Sequence, residues 1–451
     1  MRKISANTFL FLLVVLTIPA CGVEAPDTVP VSDGAIMDMA PLDDEGVGHE
    51  DQGVLPEDLG MMTDGSIPSD PCGEGEPVPD CEDVDFTLCE ARIGSNGSTL
   101  LKGTIITPDR VICNGELLVS RRDGQIECVG ENCSEHPSAT EASVVCADLI
   151  LPGMIDPHNH MSFNTLPPWQ HGQRQYTNRN QWRGEIGGDL YGARPPRSDP
   201  VAARYNELRL LMAGTTSVHK AEDTRSSHSH VRNLDRGSDA HGLGYGDPDF
   251  TECVFPLTSG CQYAPNYGDG SNIPRHRYVA HLSEGIDTTS RDEFDRFVEA
   301  GQLGDRTTII HCVACAGREL SAVRAAGAHL VWSPQSNIDL YGQTTNVSIA
   351  MNMGISVALG PDWSASGTMN LLSELKCAQR VSRRYLNGRL SARDLVRMVT
   401  DQSARAMGVD DRIGRLEVGF KADVLALSGD RSQPYESVIS ARATDVRAVF
   451  I

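Results

Sequence analysis

Apolar positions follow three different rhythms along the chain. Residues 22–95 show no apolar period, being rich in Asp, Glu, Pro, Gly and Ser. Such a stretch cannot bury enough surface to offset the entropy of ordering, which predicts a disordered acidic linker. Short apolar runs then appear at 100–106, 116–120 and 125–130, separated by Pro108-Asp109, Asn114-Gly115 and Asp123-Gly124, and these predict strands joined by tight turns. Runs of the same kind return at 421–427 and 446–451. Both ends of the folded region are therefore expected to build one small β-sandwich, with 96–150 as its N-terminal part and 411–451 as its C-terminal part.

Between them, residues 151–410 repeat one theme of a helix pattern, a Gly and a short β-branched run. Residues 199–213 predict a helix with Pro200 in its first turn, stopped at Gly214 before Thr215-Thr216-Ser217-Val218. Ser290 and Glu293 have capping-box spacing ahead of Phe294, Phe297 and Val298, and Gly301 closes that helix. Gly327 precedes Leu330-Val331-Trp332, and Gly354 precedes the run 355–359. Helices alternating with β-branched runs over about 250 residues predict an α/β fold, a (β/α)8 TIM-like barrel inserted into the sandwich.

Charge changes this picture little outside one region. The formal net charge of the 451 residues is -22, but 20 Asp or Glu and no Lys or Arg lie between Cys21 and Arg92. The remainder is close to neutral and presents no basic face, which argues against a nucleic-acid partner. At the start, Met1-Arg2-Lys3 precedes an apolar run 9–18 and Pro19-Ala20-Cys21, the pattern of a signal peptide over residues 1–21. The small residue before Cys21 resembles a bacterial lipoprotein box, so Cys21 is expected to be lipidated. The chain would then be exported and held on a bacterial membrane, periplasmic or surface side, through that anchor alone. Export permits disulfides, and of 13 cysteines the pair Cys253 and Cys261 brackets a short turn-rich loop suited to a local bridge.

The chemistry begins at Pro152-Gly153-Met154-Ile155-Asp156-Pro157-His158-Asn159-His160. Residues two apart on a strand share a face, so His158 and His160 can converge on one ion. A bare His-x-His is weak evidence, and His228-Ser229-His230 fits it too, but that pair sits among polar residues with no strand before it. Three further strand-end signals strengthen the first pair: His281 with Glu284 three residues on, His311 after Thr307-Thr308-Ile309-Ile310, and Asp362 after Val357-Ala358-Leu359-Gly360-Pro361. A barrel delivers such groups to the C-terminal mouth of its strands, where its active site lies.

On these residues, with Ser333-Pro334-Gln335-Ser336-Asn337 and the run Ile413-Gly414-Arg415-Leu416-Glu417-Val418-Gly419-Phe420-Lys421-Ala422-Asp423, the chain from about Thr99 onward resembles the amidohydrolase superfamily, most of all its mononuclear deaminase and chlorohydrolase branch. The resemblance implies one divalent metal held by His158, His160, His281 and Asp362, with zinc favoured over iron. It implies that Asp362 takes a proton from the attacking water, that Glu284 shuttles protons to the leaving amine, and that His311 bonds the water or the developing oxyanion. The expected reaction is hydrolysis of a non-peptide carbon–nitrogen bond in an amino-heterocycle or cyclic amide, a small-molecule substrate. A metal-dependent esterase or phosphoesterase on the same barrel and a non-catalytic surface ligand-binding protein are the rival readings.

Binuclear members of that superfamily use a Lys or Glu on the fourth strand; no Lys lies between His230 and Arg275, which favours one metal, and Glu252 is read as a loop residue. His219 and Lys220 are read as lining the mouth, and Cys312 with Cys315 as a buried pair or a bridge. A long loop from Met161 to Arg197, holding Trp169, Tyr176, Arg179 and Trp182, has the content of a lid over a planar or anionic ligand. Trp169, Ser336, Asn337 and Trp363 are candidate substrate contacts by position. The chain stops at Val449-Phe450-Ile451, where relatives usually continue, so the C-terminal part of the sandwich is expected to be truncated.

Overall fold

The computed structural model describes residues 81, 84–165, 167–169, 174–182, 200–219, 230–234, 243 and 277–451. The expected signal peptide, Cys21, the Cys253–Cys261 pair, Glu252, Lys220 and His228 lie outside the described residues. The first strands are β1 (Thr99–Ile106), β2 (Val111–Val119), β3 (Ile126–Gly130) and β4 (Ser143–Pro152). Next come β5 (Met154–Asp156), α1 (Arg179–Trp182), α2 (Pro200–Met212), β6 (Thr215–Val218) and β7 (Arg232–Asn233). A regular alternation follows: β8 (Tyr278–Leu282), α3 (Thr288–Glu299), β9 (Thr307–His311), α4 (Gly317–Ala326), β10 (His329–Trp332), α5 (Pro334–Tyr341), α6 (Val347–Asn352) and β11 (Val357–Leu359). The last elements are α7 (Leu371–Tyr385), α8 (Ala392–Met398), α9 (Asp401–Met407), β12 (Val424–Leu427), α10 (Pro434–Ser440) and β13 (Val446–Phe450).

Both chain ends do meet, but in one sheet. The strand order is β13-β12-β4-β1-β2-β3, with β12 antiparallel to β4, so the last strands complete what the first begin. The sandwich expected from sequence is recorded among the described residues as this single six-stranded mixed sheet. The turn expected at Asn114-Gly115 is absent, and β2 runs straight through it with Gly115 opposite Gly103. A Cβ at Gly115 would come within 2.6 Å of the Ile105 side chain, so the glycine serves close strand approach, not a turn. The Asn114 side chain is taken up instead by Thr87 and by the Asp85 carbonyl.

Those contacts belong to a wider departure from the expected linker. Its final residues are tied to the sheet by disulfides Cys81–Cys113 and Cys89–Cys146, and Arg92 pairs with Val144. A third bridge, Cys128–Cys133, closes the end of β3. Covalent closure supplies the order that composition alone denies this stretch.

The parallel strands form β11-β10-β9-β8 and β5-β6-β7, and a parallel bridge from Asn159 to Asp362 joins the ends of β5 and β11. No closed barrel is seen among the described residues; of 235–276, only Leu243 is described. Both faces of the strands are buried, as parallel sheets require. Ala280, Ile309, Leu330 and Val357 pack outward against Phe294, Phe297, Leu320 and Val323 of the helices, while Val279, Ile310, Val331 and Ala358 share an inner cluster with Ile155 and Met407.

Helix limits follow local chemistry. Helix α2 ends before Gly214, whose φ of 86° is left-handed and whose absent Cβ leaves room for Leu425 of β12. Helix α3 begins earlier than its sequence pattern predicts, because Asp287, not Ser290, is the cap, accepting from the Ser290 N–H at 2.9 Å. Glu293 is thereby released from capping. We predict that replacing Cys89 and Cys146 by serine makes residues 84–95 cleavable in limited proteolysis and lowers the unfolding free energy in urea by roughly 2–4 kcal/mol, the typical contribution of a disulfide.

Candidate active site

Four side chains meet at the C-terminal ends of the parallel strands. His158 Nε2 lies 3.0 Å from His281 Nε2 and 3.2 Å from His160 Nε2, while Asp362 Oδ1 is 3.5 Å from the first and 3.3 Å from the last. A tetrahedral ion with ligand bonds of about 2.0–2.1 Å has ligand-to-ligand edges of about 3.3 Å. Two imidazole nitrogens at this distance can share at most one proton, so several lone pairs and a carboxylate face one point. Two overlapping triads share His158, one with His160 and Asp362 and one with His281 and His311, and these nitrogens and the carboxylate oxygen suit a divalent cation, all but His160 almost completely buried.

Each member arrives by a different local device. His281 shares the inner face of β8 with Val279, two residues before it. His158 follows β5 and is held from behind, its Nδ1 2.8 Å from Ser333 Oγ and its N–H donating to Asp156 at 3.1 Å. Gly360 passes so close that a Cβ there would lie 2.7 Å from the His158 Cβ. Asp362 has φ 65° and His311 φ 72°, left-handed values that cost a non-glycine residue about 1–3 kcal/mol. The cost is concentrated where side chains must be turned into the site.

Behind the cluster lie buried acids. Burial pushes Asp362 up to about 6, opposed by His311 and reinforced by Glu284. Burial also raises Asp156 well above the carboxylate range and Glu374 to about 8, each carboxyl adding to the other's difficulty through Asp362 or directly. Sequence reasoning did not mark Asp156 or Glu374 as part of this group, because a lone acid in a helix or strand end carries no signal of what it faces.

His311 Nε2 stands 3.7 Å from Glu284 Oε1 and 3.9 Å from Asp362 Oδ2. Its Nδ1 bonds Asn337 Oδ1 at 3.0 Å, and Asn337 Nδ2 donates to Thr345 Oγ1 at 3.2 Å. Asn337 is fully buried and Ser336 bonds Asp362 and Ser366. Ser336 and Asn337, expected to touch substrate, have polar atoms that engage Asp362 and His311. Trp169 is likewise stacked on Tyr176, 5.8 Å between ring centroids, in a satellite core with Leu340 and Tyr341. Half-buried Phe163, Trp363 and Trp182 form an aromatic wall beginning beside His160, with centroid separations of 6.4, 6.2 and 5.4 Å along the series.

Other sequence candidates fall elsewhere. His219, directly after β6, is buried, and its Nδ1 donates to the Pro157 carbonyl at 2.9 Å, which braces the His158 segment. Cys312 and Cys315 form a disulfide directly after His311. His230 is exposed, its backbone N–H donating to Glu207. Replacing Ser333 by alanine removes the partner of the His158 ring and is expected to weaken divalent-metal binding about 10- to 100-fold without loss of fold, as read by chelator competition and circular dichroism. Because burial raises the Asp362 carboxyl to about 6, divalent-metal affinity is expected to fall as pH drops below 6, where a proton must be displaced from it.

Residues 277–447 match the model of the amidohydrolase family. The chain is 25% identical over 410 residues to 5-methylthioadenosine/S-adenosylhomocysteine deaminase 1 of Syntrophus aciditrophicus, covering 77% of this chain and 90% of the relative. It is 23% identical to the 5'-deoxyadenosine deaminase of Methanopyrus kandleri, over 78% of this chain and 91% of that one. Among solved structures, an adenosine deaminase from Xanthomonas campestris with bound zinc superposes with a TM-score of 0.56 at 18% identity, covering 79% of this chain and 92% of its own. A variant atrazine chlorohydrolase of Arthrobacter aurescens with zinc and atraton reaches 0.59 at 20% identity, covering 77% and 92%. These likenesses support the amidohydrolase superfamily and imply a TIM-barrel-like α/β fold.

Proposed function

We propose that this metal-dependent hydrolase of non-peptide carbon–nitrogen bonds deaminates a purine-like amino-heterocycle, with one zinc ion held by His158, His160, His281 and Asp362. The observation that carries the reading is that His158 Nε2 lies 3.0 Å from His281 Nε2, 3.2 Å from His160 Nε2 and 3.5 Å from Asp362 Oδ1, with His311 and Glu284 beside them. The aromatic wall supports a flat ring as substrate, and the relatives' adenosine-type substrates support a purine.

When bound, the ion lowers the pKa of a coordinated water towards neutrality. The chain's own residues then manage protons. Asp362 receives the proton that water gives up. His311, whose Nδ1–H is taken by Asn337, presents the Nε2 lone pair to the attacking water. Glu284 delivers protons to the ring nitrogen and then to the amine, which leaves as ammonia. The balance is one water consumed, a carbon–oxygen bond formed, a carbon–nitrogen bond broken and no change of oxidation state. The disulfides among the described residues support export, and we extend the reading to a chain lipidated at Cys21 on a bacterial membrane.

Ammonia release from 5'-methylthioadenosine and adenosine, against turnover of activated carboxylic and phosphate esters, tests the reading. Ester-only activity would discard it. The substitution Glu284→Gln is expected to leave zinc content at wild-type level while lowering kcat by about 100- to 10,000-fold, the range for loss of a positioned proton carrier; retained turnover would remove Glu284 from the mechanism.

A further inference from the structure

The loop that carries Glu284 out of β8 is clamped by a segment distant in sequence, residues 174–182. Asn178 pairs with Gly285, the Ile286 N–H donates to the Thr177 carbonyl at 2.7 Å, and the Arg179 N–H donates to the Glu284 carbonyl at 3.2 Å. The buried Arg179 guanidinium is paired with Glu293, whose Oε2 also accepts from the Ser283 N–H at 2.8 Å. The backbone on both sides of Glu284 is therefore fixed before its side chain makes any contact.

The side chain is addressed by two aromatic residues in series. Tyr341 donates its O–H to Glu284 Oε1 at 2.8 Å, and Trp182 donates its indole N–H to the Tyr341 oxygen at 2.7 Å. An indole nitrogen only donates, so the phenol oxygen that accepts from it is left to turn its single proton towards the carboxylate. The polarity of the chain is thus set at Trp182. Burial beside Glu284 pushes the Tyr341 phenol well above its ordinary range, which keeps that proton on the phenol.

We propose that Tyr341, aimed by Trp182, is a positioning residue that keeps Glu284 Oε1 an acceptor, so that the proton bound for the leaving amine travels on Oε2. The inference rests on the reading of Glu284 as the proton carrier. It also links substrate binding to that carrier, since Trp182 stands 5.4 Å from Trp363 in the aromatic wall. The residue placed to feel a bound ring is the one that aims the tyrosine.

The test compares 5'-methylthioadenosine with its 6-chloro counterpart, because both take one proton from Glu284 at the ring nitrogen but only the amine must take a second in order to leave. In zinc-loaded Tyr341→Phe, kcat for the amino substrate is expected to fall about 10- to 100-fold, the effect of losing a hydrogen bond to a charged group. KM should stay within about threefold, zinc content and thermal midpoint should stay near wild type, and kcat for the chloro compound should fall by a clearly smaller factor than kcat for the amino compound. Should that variant not fold, Trp182→Phe is expected to show a smaller loss with the same preference for the amino substrate. Equal losses on both substrates, or no loss in Tyr341→Phe where Glu284→Gln is inactive, overturn the relay alone. Full activity in Glu284→Gln overturns the proton-carrier reading, and a wild-type protein inert towards both compounds overturns the proposed function together with this inference.

Discussion

His158 Nε2 lies 3.0–3.5 Å from two other imidazole nitrogens and a carboxylate oxygen in a buried mouth, and only a cation among them turns that crowding into attraction. Most of the architecture around the site serves this demand. Ser333 fixes one imidazole, Ser336 and the Trp363 N–H engage the carboxylate, and Gly360 lets the backbone pass close enough for all to converge. The left-handed backbone at His311 and Asp362 belongs to the same demand, being tolerated because parallel strands packed on both faces hold the chain on either side.

A second layer keeps each reactive group in one role. Asn337 selects which nitrogen of His311 is available, and Tyr341 does the corresponding work for one oxygen of Glu284. Neither partner is itself charged. Neutral, buried partners of fixed polarity can direct a proton without adding another charge to a site that already gathers Asp156, Asp362 and Glu374.

The disulfides act at a distance from this chemistry, with one exception. Cys81–Cys113 and Cys89–Cys146 fasten the end of the acidic stretch onto the outer sheet, where composition alone predicts disorder. Cys312–Cys315 closes the turn immediately after His311 and so braces the strained residue itself.

The sequence by itself determined which residues converge, because β-branched runs ending in His or Asp mark parallel strands whose ends must share one face of the fold. In the structure strand alternation alone orients His281, two residues from inward-facing Val279. His311 lies two residues from Ile309, which faces the helices, and only the left-handed turn of its backbone brings it inward. Tertiary structure alone decided that Ser336 and Asn337 support the site, that Asn114-Gly115 is strand and not turn, and that Trp182 reaches Glu284 through Tyr341. The physical reason is common to all of these. Local periodicity reports which face of an element is buried, whereas the partner of a buried polar atom is set by whatever distant segment packs against it.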